Sequence, residues 1–343
     1  MTTGEQRIID RSPTLEDVAA AAGVSRSTAS RAINGGVKVS VDAQAAVDAA
    51  VTALGFTPNR AARALVTART NCVALVIPEP DDRVTADPFF ASVIKGLGQA
   101  LQDTELAMVL LLARQPDTAD KTMRYLRHGH VDGAVVVSHH ATDTIERALL
   151  ASRLPSVFVG RPWYSPEAFS YVDTDNRRGA ELATAHLVSI GRHRIGTVAG
   201  PADMIAAVDR LDGWSAALNA AGLPATAVEH GDFTALGGAA AARRLLDAAP
   251  ELDAIFVAND LMAQGVLDVL RSRGRSVPGD VAVVGYDNSV VSSTTDPPLT
   301  TVVNPVADMA RAAGSVLIGR ICDGTPVGSP TIFPPSLVLR SSG

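Results

Sequence analysis

The sequence predicts an α/β protein in two parts, a small helical module at the N-terminus and a larger body built on two parallel sheets. Between Leu15 and Leu54, apolar residues recur at helical spacing. From Cys72 onward, short apolar runs alternate with amphipathic stretches, which is the pattern of parallel strands joined by helices. The chain has 343 residues, of which 47% are hydrophobic, so it is long enough for two or three folded domains.

The composition predicts a folded protein of the reducing cytoplasm. Only 19% of the residues are charged, which excludes a largely disordered chain. Cys72 and Cys322 lie far apart and match neither a disulfide framework nor a CxxC metal clip. Residues 1–13 contain no apolar segment typical of a signal peptide, and no 18-residue stretch lacks charges and turn formers. We therefore expect a flexible extension over 1–13 and no membrane partner.

The net charge of −6 is unevenly distributed along the chain. Residues 1–70 carry 8 basic and 6 acidic side chains, so the acidic excess lies in the remainder. Residues 23–41 contain three basic side chains and no acidic one, and this stretch can therefore approach phosphate.

Local signals divide the N-terminal module into three helices. Thr14 and Asp17 match a capping box, which predicts that the first helix begins at Leu15. Gly23 favours a turn, and Ser25 is placed to cap a second helix over 26–34. The residues that point away from the apolar face of this second helix are Arg26, Ser27, Thr28 and Arg31. Ser40 can cap a third helix, which completes a helix-turn-helix module over 14–57.

The segments TLEDVAAAAGVSRSTASRAING and LGFTPNRAARAL closely resemble the headpiece of the lactose/galactose repressor (LacI/GalR) family of bacterial transcription factors. The resemblance implies that Arg26, Ser27 and Arg31 enter the major groove, where an arginine fork can donate twice to guanine. The DNA-contacting set that we expect in this module is Thr14, Ser25, Arg26, Ser27, Thr28, Arg31 and Asn34. The alternative for Arg26 is a solvated surface residue.

Residues 58–70 join the module to the body. Pro58 suits a helix entry, and the alanine-rich run after it favours helix, but the segment is too short to be helical alone in water. The resemblance implies a hinge helix that pairs with its copy in the minor groove, where Leu65 wedges a base step. The residues expected to act there are Asn59, Arg60, Ala62, Arg63 and Leu65. A flexible linker is the alternative.

The body is predicted to contain two doubly wound units. The predicted strands are CVALVI, AMVLLL, GAVVV and SVFVG in the first unit and RIGTVAG, VEH, AIFVA and VAVVGY in the second, and the segments LTTVV and SLVLR are expected to return across the boundary. The predicted helices cover residues 89–103, 118–127, 143–151, 177–190, 209–221, 236–249, 261–273 and 306–321. Segments such as VDTDNRRGA, DRLDGW and FVANDLMAQG resemble the effector domain of the same family, which implies a bilobed fold like that of periplasmic sugar-binding proteins. We place the first sub-domain at 71–172 and 301–330, and the second at 173–300 and 331–343.

Parallel sheets bind ligands at the carboxyl ends of their strands, so the residues that follow strands are candidates for an effector site. Arg161 follows SVFVG, Asn259 follows AIFVA, and Asp287 follows VAVVGY. Trp163 and Tyr164 add aromatic surface beside Arg161.

The resemblance assigns further effector contacts. Arg210 matches the family's effector-contacting arginine and Phe233 its aromatic position, which can stack on a sugar ring. Asp287 can accept from two hydroxyls. Asp175 is also expected to line the cleft. The alternatives are a salt bridge for Arg210, core packing for Phe233, and helix capping for both Asn259 and Asp175.

Enzyme signatures are missing from the sequence. Gly96 and Gly98 lie within a predicted helix, where they cannot cradle a pyrophosphate, and neither a P-loop nor a GxSxG motif occurs. The sequence therefore predicts no catalytic activity and no cofactor. Four histidines, His128, His130, His139 and His140, are expected to be loop residues beside a strand, because no helix-spaced partner accompanies them.

These observations predict a cytoplasmic, nucleoid-associated homodimer that regulates transcription from a palindromic operator and responds to a small carbohydrate. The alternatives are a regulator that needs a purine-like corepressor and, in a different class, a sugar-binding transport protein.

Overall fold

The computed structural model describes residues 13–34, 39–57, 69–113 and 117–343. The chain forms two compact units, Met1–Thr70 and Asn71–Gly343.

The described residues of the first unit contain three helices that begin and end as the local signals predict. They are α1 (Leu15–Ala21), α2 (Arg26–Ile33) and α3 (Val41–Leu54). The capping box of α1 is confirmed, because the Thr14 backbone amide donates to Asp17 Oδ2 at 2.8 Å while the Thr14 hydroxyl accepts from the Asp17 amide. Gly55 ends α3 with a left-handed φ of 61°. Val18, Ala29 and Val47 form the centre of the core between the helices.

The second unit is built on two six-stranded sheets. The strands of the first are β1 (Cys72–Ile77), β2 (Ala107–Leu112), β3 (Gly133–Val137), β4 (Ser156–Val159), β5 (Ser170–Thr174) and β11 (Thr331–Phe333). The strands of the second are β6 (Ile195–Ala199), β7 (Val228–His230), β8 (Ala254–Val257), β9 (Ala282–Asp287), β10 (Thr300–Val303) and β12 (Ser336–Val338). Their orders are β11-β5-β4-β3-β1-β2 and β12-β10-β9-β8-β6-β7. All pairs are parallel except β10 with β12.

Helices cover both faces of each sheet, and each sheet with its helices forms one lobe. The helices of the first lobe are α4 (Asp81–Ala86), α5 (Pro88–Leu101), α6 (Asp117–Arg127), α7 (Ile145–Ser152) and α13 (Val306–Cys322). Those of the second lobe are α8 (Asn176–Ser189), α9 (Ile205–Ala220), α10 (Ala235–Ala248), α11 (Asp260–Ser272) and α12 (Val290–Thr294). Strands such as β3 are wholly apolar and buried because both faces are covered.

The chain passes between the lobes three times, after β5, after β10 and after β11. The predicted sub-domain limits are wrong at two of these passages. The strand β10, placed in the first sub-domain from residue 301 onward, pairs with β9 in the second lobe. The strand β11, placed in the second sub-domain, pairs with β5 in the first. In the second sheet β10 lies between β9 and the edge strand β12, whereas β11 is the edge strand of the first sheet. Because β5 was not predicted, its neighbour β11 had no predicted partner.

Among the described residues, no helix has both the length and the apolar character needed to span a membrane.

Candidate functional site

The exposed face of α2 carries the side chains that were predicted to contact DNA. Arg26, Ser27, Arg31 and Asn34 are exposed, and Thr28 is half-buried. Arg31 Nε donates to the Ser27 carbonyl at 3.2 Å, and the Asn34 amide donates to the Ser30 carbonyl at 2.8 Å. These local contacts leave the guanidinium of Arg31 on the surface with further donors.

Arg26 has a partner that the sequence did not predict. Its Nε lies 2.7 Å from Glu16 Oε1 on α1, and both side chains are more than half exposed. An ion pair this exposed contributes little to stability, so the guanidinium can exchange the carboxylate for another acceptor at small cost.

Thr14 and Ser25, which were predicted to contact DNA, both cap helices. The Ser25 hydroxyl accepts from the Thr28 amide at 3.1 Å. Their contact with DNA stays a prediction. The hinge residues Asn59, Arg60, Ala62, Arg63 and Leu65 lie outside the described residues.

A cavity lies between the two lobes of the second unit, at the carboxyl ends of the strands. From the first lobe it is lined by Arg83, His139, Gly160, Arg161 and Asp173, and from the second by Arg210, Phe233, Asn259 and Asp287. Asn304, between β10 and α13, also lines it. The structure thus brings together five of the six predicted effector residues, and it leaves out Asp175.

Arg210 is the central cation of the cavity. It lies on α9 with only 5% of its surface exposed. Its Nε donates to Asn176 Oδ1 at 2.9 Å and its Nη1 to the Ala258 carbonyl at 2.6 Å, while the guanidinium stacks over the Tyr286 ring at 3.7 Å. These contacts fix the fork in one orientation, which is what recognition of a small polar ligand requires.

Asp287 lies beside this cation, with Oδ1 3.7 Å from Arg210 Nη1. The same oxygen accepts from the Asn304 amide at 3.1 Å. Burial raises the pKa of Asp287 above its ordinary value, and the charge of Arg210 opposes that shift. Asp260, next to it in the second lobe, has its pKa raised by burial and then by the charge of Asp287.

Phe233 forms the apolar wall of the cavity. Its ring lies 5.5 Å from the guanidinium of Arg83, on the other lobe, and 6.0 Å from that of Arg210. Phe233 and Asp287 both have positive φ, 66° and 111°, which bulky L-residues adopt only where the surrounding structure imposes it. This combination of a flat ring, a fixed cation and a carboxylate suits a ligand with hydroxyl groups and apolar faces.

Two predicted effector residues serve mainly as helix caps. Asn259 lines the cavity, but its Oδ1 accepts from the Met262 amide at 3.0 Å and its Nδ2 donates to the Phe233 carbonyl at 3.0 Å. The Asp175 carboxylate is exposed and accepts from the Arg178 amide at 2.9 Å. A side chain at the start of a helix is drawn to the unpaired amides of the first turn, so the capping alternative is correct for both.

The cavity residues that were not predicted include Arg83, His139, Asp173 and Asn304. The strand-end rule could have found His139 and Asn304, which follow β3 and β10. Asp173 was missed because β5 was not predicted. Its carboxylate accepts from the Arg161 amide and from the Asn176 side chain, and burial raises its pKa to about 6 against the opposing backbone hydrogen bonds.

Trp163 and Tyr164 do not line this cavity. Tyr164 is exposed, and its hydroxyl donates to the Ala141 carbonyl at 2.7 Å. His128, His130, His139 and His140 are loop residues, as expected. Within the described ranges, no three His, Cys, Asp or Glu side chains are grouped in a way that could hold a metal ion.

Comparison with known proteins gives two family matches. Residues 14–59 match the model of bacterial regulatory proteins of the lacI family, and residues 184–343 match a periplasmic binding protein-like domain. The chain is 46% identical to the HTH-type transcriptional regulator CelR of Thermobifida fusca, over 97% of this chain and 99% of CelR. It is 35% identical to the HTH-type transcriptional regulator MalR of Streptomyces coelicolor, over 96% of each chain.

Two solved structures cover nearly the whole chain. A complex of the transcriptional regulator CelR with cellobiose is 43% identical, with a TM-score of 0.78, and covers 96% of this chain and 100% of its own. A lac repressor dimer bound to operator and the anti-inducer ONPF is 26% identical, with a TM-score of 0.86, and covers 97% of this chain and 99% of its own.

Proposed function

The chain belongs to the lacI family of bacterial regulatory proteins, and we propose that it is a homodimeric repressor that cellobiose or a closely related glucoside releases from a palindromic operator. It acts in the cytoplasm, at the nucleoid. The observation that carries the proposal is the 46% identity to CelR over 97% of this chain, together with the CelR–cellobiose complex.

The cavity supports a carbohydrate effector. Arg210 offers guanidinium donors in a fixed plane, Asp287 offers acceptors, and Asn304 has a buried Oδ1 without a hydrogen-bond partner among the described residues. Sugar hydroxyls both donate and accept, so they match this mixture of groups. Phe233 supplies the flat apolar surface on which a pyranose ring packs.

The exposed face of α2 supports recognition of DNA. Arg26 and Arg31 project from a short, capped helix, where a guanidinium fork can donate to guanine O6 and N7. One such helix reads only a few base pairs, so two copies related by a two-fold axis supply useful specificity. The hinge roles of Leu65 and Ala62 belong to this proposal and rest on the resemblance of their segment to the family.

Calorimetry with cellobiose, cellotriose, maltose, lactose and hypoxanthine tests the identity of the effector. We expect cellobiose or cellotriose to bind, and saturating sugar to weaken binding to an operator selected from genomic fragments. Ligand at about 100 times its Kd should also stabilise the protein by about 2.7 kcal/mol. Binding of hypoxanthine that strengthens DNA binding would contradict the proposal and favour a corepressor.

A further inference from the structure

His140 connects the two lobes at the edge of the cavity. It follows β3 in the first lobe, and its Nε2 lies 3.1 Å from Oε1 of Glu79 in the same lobe. Its Nδ1 lies 3.0 Å from Oδ2 of Asp203, in the loop before α9 of the second lobe. Both ring nitrogens face carboxylates, so the ring is held in its doubly protonated, charged form.

The Glu79 carboxylate is fixed on the first-lobe side of this bridge. It is buried, and its Oε1 also accepts from Arg83 Nη1 and from the Ser138 hydroxyl, each at 2.6 Å. Asp203 is partly exposed, and its backbone carbonyl accepts from the Ala141 amide at 2.8 Å. The loop before α9 is thus held to the first lobe by a charged contact and a backbone hydrogen bond.

A second charged bridge joins the lobes six residues further along the chain. Arg161, after β4, directs Nη2 to both carboxylate oxygens of Asp209 on α9, each at 2.6 Å. Arg210, the neighbour of Asp209, carries the cavity's central cation. The segment that positions this cation is therefore attached to the opposite lobe at two charged points.

We infer that the His140–Asp203 and Arg161–Asp209 bridges form a clasp that sets the closed arrangement of the two lobes and so determines how tightly the cavity holds its ligand. Asp203 and Asp209 do not line the cavity, so they act as positioning residues through lobe closure. A ligand held between two lobes binds with an apparent affinity that is proportional to the fraction of molecules already closed, so a smaller closed fraction weakens binding. The clasp therefore tunes affinity and residence time without deciding which ligand fits.

Measurements of cellobiose binding rest on the proposed function, whereas measurement of hydrogen exchange at the Ala141 backbone amide does not. We would prepare full-length Asp203→Asn, Asp209→Asn, the double variant and the control Asp212→Asn. Asp212 is an exposed aspartate on α9, so its replacement removes the same charge from the same helix. Hydrogen exchange of the peptide containing Ala141 would be measured without ligand. Cellobiose binding would be measured by calorimetry, and cellobiose dissociation by stopped flow.

The clasp predicts that Asp203→Asn and Asp209→Asn each speed Ala141 exchange and weaken cellobiose binding about twofold to fivefold, mainly through faster dissociation. The Asp209 result is decisive, because that residue belongs to the other bridge and reports separation of the lobes rather than local fraying. Asp209→Glu should recover much of the loss, and Asp212→Asn should behave as wild type.

Unchanged Ala141 exchange in the double variant would overturn the clasp. If wild-type protein binds no cellobiose, the proposed effector is wrong, and the exchange measurement still decides whether the bridges hold the lobes together.

Discussion

The exposed face of α2, which is the proposed DNA contact of the first unit, and the cavity of the second unit each contain an arginine, but they hold it in opposite ways. Arg26 is mostly exposed, and its partner Glu16 belongs to an exposed ion pair. Arg210 is buried, with two of its nitrogens committed to hydrogen bonds and its plane stacked on Tyr286. The first arginine can be redirected to a polyanion at small cost, and the second is already ordered for one small ligand.

The two surfaces therefore obtain their specificity in different ways. An exposed side chain loses conformational entropy only when it binds DNA, so recognition depends on the DNA groups that it contacts. A buried, fixed side chain has been ordered by folding, so the cavity selects ligands through geometry set in advance. Variants of the two arginines should therefore affect different partners and should affect folding to different extents.

The largest expected effect is on operator affinity. Arg26→Ala should weaken the free energy of operator binding by about 1 to 3 kcal/mol for each half-site, and a symmetric dimer contacts two half-sites. It should also relax base preference at one position per half-site. Because the side chain is exposed, the melting temperature should barely change. Fluorescence anisotropy with operators substituted at single positions measures this. Equal weakening of binding to every sequence would mean that Arg26 contacts phosphate and not a base. Glu16→Gln is the control, because it removes the charge of the carboxylate that pairs with Arg26.

Arg210→Ala should reduce effector affinity by about 2 to 3 kcal/mol, because it removes a charged donor and leaves Asn176 and the Ala258 carbonyl without it. Unlike Arg26→Ala, it should also lower the melting temperature of the body. Calorimetry with cellobiose gives the affinity. Arg311→Ala, which removes an exposed arginine of α13, is the matched control and should leave ligand binding unchanged. An unchanged affinity in Arg210→Ala would place the effector elsewhere.

Thr14→Ala should destabilise the first unit by about 1 kcal/mol, because it removes the capping-box hydroxyl that accepts from Asp17. Operator binding should weaken modestly, and ligand affinity should stay at its wild-type value. Hydrogen exchange of the α1 amides reports the loss. If exchange in α1 is unaffected, the cap contributes nothing to the stability of this helix.

The smallest effect concerns pH. Burial opposes the charge of His140, but the hydrogen bonds and charges of Glu79 and then Asp203 outweigh it and raise its pKa from 6.5 to about 9. The resulting stabilisation is fully present below pH 6.5 and is lost as the pH rises through about 9. Two further charged side chains lie near His140, namely Arg83, which donates to Glu79, and Asp143, whose Oδ2 accepts from the His140 backbone amide at 2.7 Å. Burial lowers the pKa of the neighbouring His139 to about 4.

Melting temperatures between pH 6.5 and 9.5 should therefore fall further in wild type than in His140→Gln. His128→Gln, at an exposed histidine, is the control. Parallel curves for wild type and His140→Gln would mean that His140 carries no stabilising charge.

The sequence predicts the first unit better than the cavity because its signals are local. Thr14, Ser25 and Ser40 cap the three helices as their spacing indicates. The cavity depends on residues brought together from distant strands, so the expected position of Asp287 was correct while Asp173 was missed with its unpredicted strand. Asn259 shows a third case, since a strand end and a helix cap coincide and only the structure reveals which contacts its amide makes.

The most direct test of the account measures operator affinity with and without cellobiose in wild type and in Arg210→Ala. Cellobiose should weaken operator binding in wild type, and Arg210→Ala should bind the operator nearly as tightly while losing the response to the sugar. A wild-type affinity that does not change with cellobiose, or a full response in Arg210→Ala, would contradict that expectation.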